Sequence, residues 1–96
     1  MAQSTHHRQY QALLELLRSW RAKAGLTQTE VGERLGNTQT FVSKVERGER
    51  RLDVVEFAEW CEALGVAPSD GIQAYLDVRP LDNSRKISSR SGRPRR

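Results

Sequence analysis

The sequence predicts an all-α fold: five helices over residues 8–80, preceded by a flexible segment at residues 1–7 and followed by a disordered basic tail at residues 81–96. Apolar residues recur at helical spacing, and no strand alternation, repeat or heptad is present. Capping signatures and glycines mark where helices begin and end. With 96 residues, the chain suits one domain with a modest core.

The first predicted helix runs from about Arg8 to Ala24, and Ser4 or Thr5 can cap its start. Gly25 suits the position after its end, where a left-handed backbone is needed. Its apolar stripe consists of Leu13, Leu17, Trp20 and Ala24, widened by Tyr10, Leu14 and Leu16.

The second predicted helix begins with a capping box, because Thr27 is followed three residues later by Glu30. It ends at Leu35, since Gly36 interrupts helical structure. Gly32 inside this helix costs up to ~1 kcal/mol relative to alanine. We therefore expect Gly32 to lie where another helix passes closely and only a very small side chain fits.

The third predicted helix covers about residues 39 to 46 or 47, with Thr38 as its N-cap and Gly48 after its end. Val42 and Val45 share an inner face at helical spacing. The polar side chains on the other faces are Gln39, Thr40, Ser43 and Lys44.

The fourth predicted helix begins with a second capping box, formed by Asp53 and Glu56, and ends at Gly65. Its buried stripe is predicted as Val54, Phe57, Cys61 and Leu64, with Ala58 and Trp60 beside it. The fifth helix begins at Pro68 and reaches about Val78, because Pro80 cannot continue it.

The net charge of +4 is unevenly distributed along the chain. Residues 1–80 contain 10 basic and 11 acidic side chains, whereas residues 81–96 contain 6 basic side chains and one acid. The tail has two aliphatic residues and no aromatic one, so burial cannot offset its ordering entropy. The high pI of 9.8 therefore reflects the tail and does not by itself indicate that the folded part binds nucleic acid.

Several function classes find no support in the sequence. Cys61 is the one cysteine, which excludes an intramolecular disulfide and cysteine-rich zinc sites and favours a core position. No apolar run is long enough to span a membrane. No phosphate-binding glycine loop, catalytic triad or paired carboxylates occur. We therefore expect no enzyme activity, no cofactor, no metal and no small-molecule ligand.

Four motifs occur in order: G-L-T-Q at 25–28, L-G at 35–36, V-S-K-V-E-R-G at 42–48 and A-L-G-V at 63–66. Together they resemble the Cro-type, phage-repressor-like helix-turn-helix family, also called the XRE family, over residues 13–76. The resemblance implies a five-helix lambda-repressor-like DNA-binding domain with the helix-turn-helix at helices 2 and 3. Gly32 departs from the alanine usual in the family, and Ala67 stands where a capping serine is common.

The resemblance implies that the third helix contacts base edges through Gln39, Thr40, Ser43 and Lys44. An amide can bond adenine N6 and N7, a threonine methyl can contact a thymine methyl, and a lysine can reach guanine. The alternative is an ordinary solvated helix face.

Phosphate contacts are expected from Gln28, Thr38, Arg47, Arg50 and Arg51, as anchors without sequence preference. In this family the residue at Gln28 also braces the first residue of the recognition helix. The alternatives are a surface glutamine and solvated loop charges. The resemblance further implies a structural ion pair between Arg21 and Glu46.

The expected function is a sequence-specific transcriptional regulator, most simply a repressor, that binds double-stranded DNA in the cytoplasm, on the nucleoid. It would act as a homodimer on a pseudo-palindromic operator with half-sites about 34 Å apart. Helix 5 and exposed apolar groups of helix 4, such as Trp60, are expected at the dimer contact. The alternative is a protein-interaction module, such as an antitoxin whose C-terminal tail binds a partner. Two further alternatives for the tail are a solvated run of charges and an arginine-rich arm that contacts DNA.

Overall fold

The computed structural model describes residues 4–81, and its side chains from His7 onward. This part of the chain forms five helices and no strand, which confirms the all-α prediction. The helices are α1 (Ser4–Ala24), α2 (Gln28–Leu35), α3 (Gln39–Glu46), α4 (Val54–Ala63) and α5 (Pro68–Val78). None of these five helices is long and apolar enough to cross a membrane.

The helix bounds agree with the sequence except at the first helix. α1 begins at Ser4 rather than at about Arg8, so residues 4–7, assigned above to a flexible N-terminal segment, are helical. The disorder predicted for the tail concerns residues 82–96, which lie outside the described part of the chain.

Both predicted capping boxes are formed. The Glu30 backbone N–H donates to the Thr27 hydroxyl over 3.0 Å, and the Thr27 N–H donates to the Glu30 carboxylate over 2.8 Å. Asp53 and Glu56 make the same reciprocal pair, at 2.8 and 3.0 Å. Ala67 makes no such bond at the start of α5, where Pro68 sets the first turn. α2 and α4 therefore have firmly defined starts.

The core is formed by side chains of α1, α2, α3 and α4. Its fully buried side chains are Leu14, Leu17, Val31, Val42, Val45, Trp60 and Cys61, with Phe57 and Leu64 next to them. The predicted inner face of α3 is confirmed, because Val42 and Val45 are completely shielded from solvent. α1 contributes Leu14 and Leu17, whereas Ala24, predicted in the same stripe, is exposed.

Two expectations about α4 are wrong. The helical spacing predicts Val54 in the buried stripe, but its side chain is 82% exposed in the first turn of α4, where neighbouring Val55 is exposed too. The expectation of Trp60 as an exposed dimer contact is wrong as well, because its side chain is 1% exposed. Its ring packs against Phe41 of α3, with 5.9 Å between ring centroids. The middle of α4 is therefore buried on two sides, whereas its first turn is exposed to solvent.

Gly32 allows α2 to lie directly against the turn that precedes α3. A Cβ atom at this position would lie 3.0 Å from the carbonyl carbon and oxygen of Thr38 and 3.1 Å from the oxygen of Asn37. The expectation that only a very small side chain fits is confirmed. The close approach is to the backbone of the turn, so Gly32 fixes the distance between α2 and the start of α3.

Candidate nucleic-acid interface

The outer face of α3 is a short polar surface. Gln39, Thr40 and Lys44 are exposed, whereas Ser43 is half-buried. The hydroxyl of Thr38 accepts the Phe41 N–H over 3.0 Å, which caps the helix as predicted. Three of the four side chains proposed for base contact therefore face solvent, while the Ser43 hydroxyl already accepts a hydrogen bond from Arg47.

Arg21 and Glu46, expected as an ion pair, lie together beneath this surface. The Nε and Nη2 atoms of Arg21 donate to the two carboxylate oxygens of Glu46 over 2.7 and 3.0 Å. Glu46 is 3% exposed although it is charged. Its hydrogen bond to Arg21 raises the pKa of the guanidinium above its ordinary value, and burial opposes that shift only in part.

This pair ties the end of α3 to α1 and to the loop before α2. Arg21 also donates to the backbone oxygen of Leu26 over 3.1 Å. Arg18 donates to the backbone oxygen of Glu46 over 2.7 Å, which satisfies a carbonyl in the last turn of α3. The sequence reasoning missed Arg18. Its position one helical turn before Arg21 was the available signal.

Gln28 connects the ion pair to the first residue of α3. Its amide nitrogen donates to Glu46 Oε1 over 2.9 Å, and its carbonyl oxygen accepts from the amide nitrogen of Gln39 over 2.7 Å. The bracing expected from the resemblance is therefore present in the geometry. One N–H of Gln28 is used by Glu46, which leaves the other for a phosphate oxygen.

The arginines of the following loop are engaged with nearby side chains. Arg47 pairs with Glu49 over 3.0 and 3.1 Å. Arg50 forms a bidentate pair with Glu56, at 3.0 and 2.7 Å, and its guanidinium carbon lies 5.1 Å from the Phe41 ring centre. These hydrogen bonds lower the pKa of both carboxyl groups.

The third loop arginine, Arg51, has no acid partner among the described side chains. Its guanidinium carbon lies 4.2 Å from the Tyr10 ring centre, a cation–π contact. The hydroxyl of Tyr10 accepts the Leu52 N–H over 3.3 Å, so α1 holds the loop at this point. The Arg47–Glu49 pair is exposed on both sides and contributes little, so a phosphate could replace its carboxylate, whereas the Arg50–Glu56 pair is bidentate and Glu56 is 26% exposed.

No three potential metal ligands lie together among the described residues. Cys61 is completely buried, and burial raises the pKa of its thiol to about 11. It is therefore a core residue, as predicted, and remains protonated near neutral pH. The polar face of α3 and its supporting hydrogen bonds are the strongest candidate site in the described part of the chain.

Comparison with known proteins agrees with this geometry. The model of a helix-turn-helix family matches residues 17–70, more than half of the chain. The chain shares 45% identity over 47 residues with an uncharacterized HTH-type transcriptional regulator, y4dJ, of Sinorhizobium fredii. That match covers 49% of this chain and 61% of the relative.

Two solved structures are similar over most of their length. An XRE-family like protein from Pseudomonas syringae pv. tomato shares 45% identity with a TM-score of 0.75, covering 81% of this chain and 95% of that one. The clp gene regulator ClgR from Corynebacterium glutamicum shares 30% identity with a TM-score of 0.66, covering 77% of this chain and 96% of that one.

Proposed function

This chain belongs to the XRE family of helix-turn-helix proteins, and from that premise we propose that it is a sequence-specific DNA-binding regulator of transcription. The observation that carries the proposal is the polar face of α3, which is exposed and is held from below by Arg21, Glu46 and Gln28. Because α3 is too short to be stable alone, these contacts hold its polar face in a fixed position.

In the proposed complex α3 lies in the major groove. Gln39 and Thr40, at its N-terminal end, contact base edges first, and Lys44 contacts them about one turn further on. Ser43 lies on the same face and contacts a base once its hydroxyl has given up the hydrogen bond from Arg47. This arrangement gives each domain a few base contacts, and sequence preference resides in them.

Phosphate contacts supply much of the affinity. Gln28 lies in the first turn of α2 and Thr38 caps the start of α3, and the Thr38 hydroxyl and the second N–H of Gln28 suit phosphates of one strand. Arg47, Arg50 and Arg51 follow α3 and suit phosphates beside the half-site. Because Arg47 is paired with Glu49 and Arg50 with Glu56, a phosphate contact by either arginine replaces an existing ion pair.

We also propose that the protein acts as a homodimer on a pseudo-palindromic operator, since one domain alone makes few contacts. The dimer contact is placed on α5 and the start of α4, where Val54, Ile72 and Leu76 are 82%, 47% and 42% exposed. Trp60 is excluded from it by burial. Bound in this way, on the nucleoid of the cytoplasm, the dimer represses by occupying its operator.

Selection from random duplexes tests the proposal. The wild-type protein is expected to select a palindromic consensus, and the double variant Gln39→Ala/Lys44→Ala is expected to lose it. Both replaced side chains are exposed, so the variant should keep its melting temperature. The matched control is Glu59→Ala/Glu62→Ala, two exposed changes on α4 that should leave the consensus intact.

A different outcome would favour the protein-interaction alternative. If the wild-type protein binds duplexes in a salt-labile way without selecting any sequence, the proposed reading of bases by α3 is wrong.

A further inference from the structure

The end of α5 is attached to the first turns of α1. The side-chain amide of Gln9 donates to the backbone oxygen of Pro80 over 3.0 Å, and the hydroxyl of Tyr75 donates to the backbone oxygen of Gln9 over 3.2 Å. Arg79, which precedes the proline, has an extended backbone, so the chain leaves the helix there. Residues 82–96 therefore continue from a point that α1 holds in place.

The same part of α1 also holds the loop after α3. Tyr10 follows Gln9 directly, and its ring centre lies 4.2 Å from the guanidinium carbon of Arg51. Its hydroxyl accepts the Leu52 N–H over 3.3 Å. Because Cα atoms of adjacent residues are only about 3.8 Å apart, neighbouring positions of α1 hold the end of α5 and a loop arginine proposed to contact phosphates.

Three arginines lie at this point of attachment. Arg8 precedes Gln9, Arg79 precedes Pro80, and Arg51 lies on the ring of the next residue of α1. We call Arg8, Arg51 and Arg79 the cationic edge. None of the three forms an ion pair with another described side chain.

The acids near the cationic edge do not bind to it. The first turn of α1 contains no acidic residue. In the last turn of α5 the carboxylate of Asp77 accepts a hydrogen bond from Gln73 over 2.9 Å. In the described part of the chain, the cationic edge is therefore open to an external anion.

Residues 82–96 continue the positive charge of the cationic edge. They contain one acid, Asp82, and six basic residues: Arg85, Lys86, Arg90, Arg93, Arg95 and Arg96. We propose that the cationic edge and residues 82–96 form one phosphate-binding surface, which extends the contact with duplex DNA beyond the half-site without adding sequence preference. This inference rests on the proposed binding of DNA.

The folded domain offers these basic residues little to bind. Residues 1–80 contain 11 acidic side chains against 10 basic ones. More than half of those acids already accept hydrogen bonds from the chain itself: Glu30, Glu46, Glu49, Asp53, Glu56 and Asp77. A duplex, in contrast, presents one negative charge per about 1.7 Å of its axis.

Length and composition also favour DNA over a protein partner. Fifteen residues span at most about 50 Å when extended, which exceeds one turn of duplex, about 34 Å. A protein interface has an apolar core, and residues 82–96 contain no aromatic residue and a single aliphatic one, Ile87. A surface of arginines without apolar anchors suits a row of phosphates.

The first experiment removes the charge of residues 82–96 in the full chain. The neutral variant replaces all six basic residues with glutamine, and binding to a random-sequence duplex several turns long is measured from 50 to 200 mM salt. The slope of log K against log salt should become shallower by at least about 2, since each phosphate contact contributes about 0.9. The advantage of wild type over the variant should thus fall about tenfold across this range.

The matched control keeps the charge and changes the order of the residues. A variant in which residues 82–96 are shuffled should retain the slope of wild type, because phosphates carry no sequence information. A shallower slope in the shuffled variant would contradict the inference.

The second experiment tests the cationic edge itself. Arg8 is exposed, so Arg8→Gln should retain the melting temperature while the slope becomes shallower by about 0.9 and all duplexes are bound more weakly. The matched control is Arg34→Gln, because the Arg34 guanidinium donates to the backbone oxygen of Ala63 on the side of α2 and α4. That control should retain the slope of wild type.

Each outcome bears on one part of the inference. An unchanged slope in the neutral variant would overturn it, and this is the result expected if residues 82–96 bind an acidic protein. A change in the neutral variant without one in Arg8→Gln would show that the cationic edge does not belong to the surface. A changed consensus in the neutral variant would contradict binding without sequence preference.

The random-sequence duplex also separates the inference from the proposed function. If wild type selects no consensus but both variants show a shallower slope, the proposed reading of bases fails and the phosphate-binding surface stands. If wild type selects a consensus and neither variant changes the slope, the proposed function stands and the inference fails.

Discussion

The two sides of this domain are held together by different kinds of contact. On the side of α2 and α3, directional hydrogen bonds link Arg21, Glu46, Gln28 and Gln39. On the side of α4 and α5, close apolar contact dominates, and Gly71 lies directly against Cys61. Apolar contact fixes distances, but only hydrogen bonds fix which atom of an amide faces outward. The side proposed to read bases is the one that needs this second kind of control.

The length of α3 makes the contrast sharper. Its eight residues are too few for a stable isolated helix, so its shape and position depend on what it packs against. Val42 and Val45 supply the burial, and Glu46 supplies the orientation. Removing either kind of contact should therefore have different consequences, and the following experiments separate them in order of expected size.

The largest effect is expected from Glu46→Ala. The substitution leaves Arg21 partly buried without its acceptor and removes the acceptor of Gln28. Loss of one partner of a buried pair costs about 3–5 kcal/mol, and because Arg21 keeps 23% exposure we expect about 3 kcal/mol. Urea unfolding followed by circular dichroism measures this difference.

Glu49→Ala is the control for that experiment. Glu49 pairs with Arg47 at a similar distance, but both side chains are 54% exposed. An exposed pair contributes about 0–1 kcal/mol, so this variant should remain close to wild type. If Glu46→Ala and Glu49→Ala lost equal free energy of unfolding, burial would not explain how much Glu46 contributes to stability.

A smaller effect is expected from Gly71→Ala, which tests the apolar side. A Cβ atom at Gly71 would lie 2.7 Å from the Cys61 sulfur, closer than such atoms pack. Overpacking costs about 1–3 kcal/mol, and the better helix propensity of alanine returns up to about 1 kcal/mol. We expect a net loss of about 1–2 kcal/mol in thermal or urea unfolding.

The source of that loss can be identified by a double-mutant cycle. Cys61→Ala removes the sulfur that the new methyl group would meet, so the double variant should lose less stability than the sum of the single variants. A coupling above about 0.5 kcal/mol would support direct contact between the two helices. Simple additivity would place the cost of Gly71→Ala elsewhere in the fold.

The thiol of Cys61 gives this contact a pH dependence. Burial raises its pKa from 9.0 to about 11, so between these values the folded state binds more protons than the unfolded state. Stability conferred by the neutral thiol is therefore complete below about pH 9 and is lost as the pH rises towards 11. At pH 10.5 wild type should have lost about 1–2 kcal/mol more than Cys61→Ala, relative to pH 8.

Chemical reactivity gives an independent check of the same thiol. Alkylation of Cys61 should be slow in the folded protein at pH 8, because both burial and protonation protect it. Rapid modification without unfolding would contradict the raised pKa and the close packing against Gly71.

The sequence predicted where helices begin better than it predicted which of their residues are buried. Capping boxes at Thr27 and Asp53 are local, because both partners lie within four residues, and so the starts of α2 and α4 could be placed correctly. The Arg21–Glu46 pair spans 25 positions and came from the family resemblance alone. The brace between Gln28 and Gln39 came from the same resemblance, whereas the hydrogen bond from Gln28 to Glu46 requires three-dimensional positions that no spacing rule supplies.

The errors have a common physical origin. Helical periodicity assigns residues to a face, but it does not say how far along the helix a neighbouring element covers that face. Val54 lies on the apolar face of α4 beyond the part that is covered, whereas Trp60 is buried because Phe41 of α3 covers a second side. Whether another element covers a side chain depends on the tertiary structure, so helical periodicity gave the wrong burial for both Val54 and Trp60.

The smallest effect is expected from Val54→Ser, which tests that explanation directly. If Val54 is 82% exposed, as the structure has it, the substitution should change the stability of the monomer by less than about 0.5 kcal/mol. The matched control Val31→Ser alters a fully buried valine and should cost well over about 2 kcal/mol.

Measuring the stability of wild type and Val54→Ser at several protein concentrations tests whether a second copy of the chain covers Val54. A loss in Val54→Ser that appears only at high concentration means that a second copy covers this face, because association adds stability by mass action. A large loss at every concentration would mean that the first turn of α4 is buried within the monomer after all.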